Sequence, residues 1–257
     1  MLAKKYFVAS TPANAAVKSF LGIPVADSID FIRWRITLTD GAYKLLCTYG
    51  ISKPNTNGFY DGGKKTELGG KADHTKGFYI LHSGNKTLKL TVLNDDILHI
   101  SDNDNSLMVG NGGWSYSLNN TTALGSDRVN TTSLPIVFKD SAVFDGRTPC
   151  NVPGIIPAGK LCYKLKWRII LYANTAAAQQ GKCKVFGTSY RAMNGRPCTW
   201  RLSKNDNGDL RYELIDDTGK PFVWLRAADS NILYFTDANG KLLVGNEDFS
   251  YSLNRLF

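Results

Sequence analysis

Histidine is scarce in this chain. His74, His82 and His99 are the only three, all lie in the first half, and none stands two or four residues from another. That spacing gives no support to a multi-histidine metal centre, and any catalysis in the second half would have to run without an imidazole base. Methionine is equally rare at three residues. No apolar run approaches the length that a membrane-spanning helix needs, and no long stretch carries helical periodicity. Neither the P-loop pattern nor the GxGxxG pattern occurs, and Gly110-Asn111-Gly112-Gly113 lacks the strand-to-helix setting of a phosphate cradle. With CxxC pairs also missing, a tetrahedral zinc site is not indicated. No metal or other cofactor is called for by these patterns.

What is present is strand-like. Runs with period-two alternation are bounded by Gly, Asn and Asp clusters: Tyr43, Leu45, Cys47 and Tyr49 share one face, and Leu88, Leu90 and Val92 share another. Each such strand is expected to have one dry face. The chain also repeats itself. Ile97 to Asn119 and Ile232 to Asn254 are identical at 12 of 23 positions, and Trp34, Arg35, Ile36 and Leu38 recur as Trp167, Arg168, Ile169 and Leu171. The repeat predicts two domains, 14–120 and 135–257, joined by a Thr-, Asn- and Ser-rich linker over 121–134. Many short strands with local turns suit an all-β fold, and sequential hairpins suit two tandem small antiparallel meander β-barrels. The loop from Ala173 to Gln180 holds about seven residues that the first copy lacks. A helix is expected within Thr11 to Phe20 or, less regularly because of Pro153, Gly154 and Pro157, within Val152 to Lys160.

The net charge of +9 invites a nucleic-acid reading, but the basic residues are scattered and lack interleaved stacking aromatics, so no nucleic-acid partner is expected. A solvated basic face, or attraction to an anionic membrane surface, accounts for the charge equally well. The aspartate-rich turn at Asp102-Asn103-Asp104 resembles the start of a calcium loop, yet its twelfth position is Gly113, and the second copy places Lys241 at the fifth. Hairpin turns explain both segments. Asp95-Asp96 and Asp216-Asp217 read as solvated turns, and nothing indicates an enzyme.

The cysteines carry the most specific chemistry. Cys183 and Cys198 both have inward strand parity on neighbouring strands, and Cys150 and Cys162 flank a Pro-Gly loop. Each pair is either a disulfide or two reduced, buried small side chains. Cys47, on the Tyr43 and Leu45 face, reads as a buried free thiol. Bridges would require an oxidising, extracytoplasmic setting.

The segments Phe144 to Cys150 (FDGRTPC), Cys162 to Tyr172 (CYKLKWRIILY) and the ending LVGNEDFSYSLNR resemble the NlpE-like envelope lipoproteins, which include copper resistance and copper homeostasis proteins. The resemblance covers most of the second half, and the first half through the repeat. It implies lipocalin-like barrels in the periplasm or at the outer membrane. It also implies a role in envelope stress, adhesion sensing or copper tolerance, and peripheral membrane association through a lipid attached in a segment ahead of this sequence. That family's CxxC position corresponds to Ile23-Pro24-Val25-Ala26-Asp27-Ser28, where Val25 and Ser28 replace both cysteines, so a soft copper(I) site loses its thiolates. The expected function is non-enzymatic binding or sensing of an envelope protein or small apolar ligand. The competing expectation is a copper-handling or thiol-redox factor using the second-half cysteines.

Overall fold

A computed structural model describes residues 4–75, 77–122, 129–130, 133, 135–157, 159–173, 179–189, 194–204 and 209–257. The greater part of the expected linker and residues 174–178 of the Ala173 to Gln180 loop lie outside these. Each half is a closed eight-stranded antiparallel meander barrel, as the alternation and the repeat predict. In the first, β1 (Lys5–Thr11), β2 (Phe31–Leu38), β3 (Ala42–Gly50), β4 (Lys64–Thr75), β5 (Phe78–Ser83), β6 (Lys86–Val92), β7 (Ile97–Ser101) and β8 (Ser117–Asn120) pair in chain order. The ring closes where Val8 of β1 faces Asn119 of β8. In the second, β9 (Ser141–Thr148), β10 (Leu165–Tyr172), β11 (Gln180–Gly187), β12 (Arg196–Lys204), β13 (Leu210–Ile215), β14 (Pro221–Ala227), β15 (Ile232–Thr236) and β16 (Ser252–Arg255) do the same. Asp145 facing Asn254 closes that ring. No helix among the described residues is long and apolar enough to cross a membrane.

The first barrel begins at Lys5, ahead of the expected boundary at residue 14. Its opening strand alternates a large, a small and a polar inward residue, Phe7, Ala9 and Thr11, all buried, and so carries little apolar signal. Packing divides the chain into one unit of Met1–Gly110, Tyr116–Leu124 and Val244–Ser250, and another of Asn111–Ser115, Gly125–Leu243 and Tyr251–Phe257. A single cut within 121–134 therefore does not separate the two units. In the first unit, Arg35 holds Glu247 by two hydrogen bonds of 2.9 and 3.2 Å, and the Gly245 amide donates to Asn119 Oδ1 at 2.9 Å.

Inward side chains fill each barrel. Trp34, Ile36, Leu45, Cys47, Leu81 and Leu90 belong to one buried cluster, and Phe144, Ile169, Leu171, Val185, Leu214 and Leu225 to the other. Eight strands enclose a space about as wide as such side chains occupy. The closing strands are shorter than the aromatic-serine alternation suggests, and their polar face is not wet. Ser117, Asn119, Ser252 and Asn254 are buried, and all five residues of both β7 and β15 are buried. One close approach requires glycine: a Cβ on Gly146, opposite Leu253, would stand 2.6 Å from the Ser252 carbonyl oxygen.

The same relay of hydrogen bonds ties the first two strands in both copies. Trp34 Nε1 donates to Thr11 Oγ1 at 2.8 Å, and that hydroxyl donates to the Pro12 carbonyl at 3.1 Å. Trp167 Nε1 donates to Thr148 Oγ1 and Thr148 Oγ1 to the Pro149 carbonyl, each at 2.9 Å. Both threonines are fully buried, so each indole N–H depends on a protein acceptor. Replacing Thr11 or Thr148 by valine keeps the shape and orphans the indole. Each variant is expected to lose about 1–3 kcal/mol in urea unfolding, whereas Thr→Ser keeps the hydroxyl and should lose less.

Candidate functional site

The copies diverge most usefully just after this relay, in the connection between their first two strands. In the first barrel it forms helix α1 (Ala15–Leu21), which ends one residue past the expected Thr11 to Phe20 range, with Asn14 Oδ1 accepting from the Val17 amide at 2.8 Å. Seven residues are far below the roughly 12–15 that hold a helix in isolation. Burial of Val17, Phe20 and Leu21 holds this one. In the second barrel Val152 to Lys160 forms turns and no helix among its described residues. The segment is clamped at its ends by the Cys150–Cys162 disulfide, Cα–Cα 6.0 Å. Val152 and Ile155 plug it into the core, while Leu161 is 100% exposed and Tyr163 60% exposed.

Beside this lid lies an open cleft of about 1120 Å³. Ile156, Leu161 and Tyr163 line its apolar side, and the only charged residues on the described lining are Lys160, Lys164 and Lys166. The Lys164 ammonium sits 5.5 Å from the centre of the Tyr163 ring. The floor is fixed by the end of β11. Thr188 N donates to the Lys166 carbonyl at 3.1 Å, and Lys166 N to Thr188 Oγ1 at 2.9 Å. Gly187, at φ 143°, is required there because a Cβ would meet the Lys166 carbonyl at 1.8 Å. The Cys150 and Cys162 positions were visible in the sequence. No sequence pattern marks Leu161 and Tyr163 as exposed, although Lys160, Lys164 and Lys166 within seven residues are a usable signal of the cluster.

The second disulfide joins Cys183 and Cys198, directly opposed across β11 and β12 with Cα–Cα 4.8 Å, in keeping with their shared inward parity. Two disulfides are what an oxidising environment sustains. Cys47 is free and buried, and burial pushes its thiol well above the ordinary value.

The other sequence candidates serve local structure. Among the described residues no three His, Cys, Asp or Glu side chains come together as a metal site would need. His74 stacks on Tyr79, and His82 contacts Asp73 at 2.8 Å. Asp102 and Asp104 both accept from the Ser106 amide, and Asp237 accepts from the Asn239 and Lys241 amides, so these carboxylates cap their own hairpin turns. At the degenerate CxxC position Val25 is exposed in a turn and Ser28 is exposed just after it. Lys18 Nζ latches that turn, donating to the Val25 and Asp27 carbonyls at 3.0 and 2.6 Å. The basic side chains Arg168, Arg196 and Arg201 are engaged with Asp145, Asp216 and Glu213.

Compared with protein-family models, curated proteins and solved structures, the chain matches none. The two barrels are therefore interpreted from their own residues.

His99 is fully buried where the second copy has Tyr234. The Met108 carbonyl, 2.9 Å from Nε2, can only accept, so Nε2 carries the proton and Nδ1 accepts from Ser117 Oγ at 3.2 Å. Burial lowers its pKa to about 4. The unfolded chain, near the ordinary value, takes up a proton first as pH falls. The neutral His99 thus contributes stability that is complete above about pH 6.5 and is lost progressively toward about pH 4. Between pH 7 and pH 4.5 the native protein is expected to lose roughly 2 kcal/mol more than His99→Gln, compared by urea unfolding. A thiol titration should find no reactive cysteine in the native protein and one, Cys47, after denaturation without reductant.

Proposed function

We propose that this chain is a non-catalytic, extracytoplasmic binding protein of the bacterial envelope, similar to the NlpE-like lipoproteins in sensing or adhesion. Its working surface is the disulfide-clamped lid and cleft of the second barrel. The observation that carries this reading is a fully exposed leucine and a largely exposed tyrosine held on a disulfide-clamped lid beside a cleft whose charged residues, on the described lining, are all lysines. The clusters of buried apolar side chains inside both barrels support binding on the outside over carriage within. Four cysteines tied in disulfides and a fifth in the core support stapling over thiol-based copper handling or redox exchange.

Anilinonaphthalene sulfonate, apolar and anionic, is a direct probe. It is expected to bind saturably, with amide shifts confined to the lid and cleft. Leu161→Ser with Tyr163→Ser should weaken it at least tenfold, in line with about 1.5–3 kcal/mol for each large side chain removed from an apolar contact. Absence of saturable binding, or binding indifferent to both substitutions, would count against the cleft as the working surface.

A further inference from the structure

We infer that the lid of the second barrel docks on an anionic lipid surface, with Leu161 and Tyr163 entering the interface and Lys160, Lys164 and Lys166 meeting the headgroups. The inference rests on the cleft being a binding surface and adds the nature of its occupant. Leu161 is fully exposed and Tyr163 mostly so, close together at the end of a segment that is closed by a disulfide and whose Val152 and Ile155 are anchored in the core. The apolar tip is thus presented already ordered, and little conformational freedom remains to be lost on docking. Tyrosine favours the boundary between headgroups and hydrocarbon, and lysine stems can lie along apolar surface while their ammonium groups stay among phosphates.

Charge selects the occupant. All charged residues on the described lining are lysines, in a chain of net charge +9. Near an anionic surface each lysine strengthens binding by about fivefold. Two apolar side chains alone would give weak, indiscriminate adsorption, and three lysines alone would give binding that salt removes. Together they give selective binding to anionic bilayers. A peptide is a poorer fit, because β9, β10 and β11 are paired on both sides and offer no free edge for an added strand. A fluid lipid surface needs no such directional partners. The first barrel provides an internal control. Its corresponding connection buries Val17, Phe20 and Leu21 of α1 and exposes one large apolar residue, Val25, with no exposed aromatic beside it.

The full chain should float with vesicles of phosphatidylcholine mixed with phosphatidylglycerol and not with phosphatidylcholine alone, and added salt should weaken the association. Lys160→Gln, Lys164→Gln and Lys166→Gln combined should reduce binding by roughly a hundredfold, and Leu161→Ser with Tyr163→Ser should abolish it. Tyr163→Trp should keep binding and add tryptophan emission quenched by brominated acyl chains. Equal binding to neutral vesicles, no binding to anionic ones, or insensitivity to these substitutions would overturn the inference. So would capture of soluble dodecyl phosphate without vesicle binding, which would assign the cleft to a free amphiphile. Dye binding in the cleft without vesicle binding removes only the membrane assignment, whereas loss of dye binding as well removes the cleft reading itself.

Discussion

The relay from a buried tryptophan through a buried threonine to a proline carbonyl organises both halves. It lies where the first strand ends, so one set of hydrogen bonds fixes the strand, the second strand beside it, and the direction in which the chain leaves. The first strand must also receive the last one to close the ring. An indole N–H without an acceptor in that core would cost more than a hydrogen bond ordinarily contributes, because desolvation is then uncompensated. The pairing of Trp34 with Thr11, and of Trp167 with Thr148, is thus the constraint on which closure and lid placement depend.

With closure fixed, the copies are free to differ in the segment beyond the proline. One uses a seven-residue helix that survives because Phe20 and its neighbours are buried. The other uses a turn-rich segment whose Pro153, Gly154 and Pro157 forbid a regular helix, and a covalent bond supplies the order that secondary structure does not. The covalent solution releases Leu161 and Tyr163 from core packing. In the helical lid Val17, Phe20 and Leu21 are consumed by holding the element in place. This trade lets a shared frame carry a copy-specific surface.

Alternation in Tyr43 to Tyr49 and Leu88 to Val92, together with the repeated hairpin turns, was enough to reach tandem meander barrels, since neighbours in sequence are neighbours in the sheet. β1 escaped detection because its inward residues are Phe7, Ala9 and Thr11. The recurrence of Thr-Pro at Thr11 and Thr148 was the available clue. The dry polar face of β8 and β16 was not legible, because serine and asparagine report exposure only on average and here they are buried. Parity anticipated Cys183 opposite Cys198. The site was legible only in part. The flanking cysteines stood out, but whether Leu161 points inward or outward depends on the path of an irregular loop, which no periodicity records.

The closing strands β8 and β16 are nearly the same peptide, yet they meet different first strands. In the second copy β16 lies so close to β9 that even a methyl group at Gly146 would press on the Ser252 carbonyl. The first copy carries Ala9 at the corresponding place, so β1 receives β8 with a methyl group in the contact. A single side-chain atom thus marks the point at which two seams built from almost the same closing peptide cannot be identical.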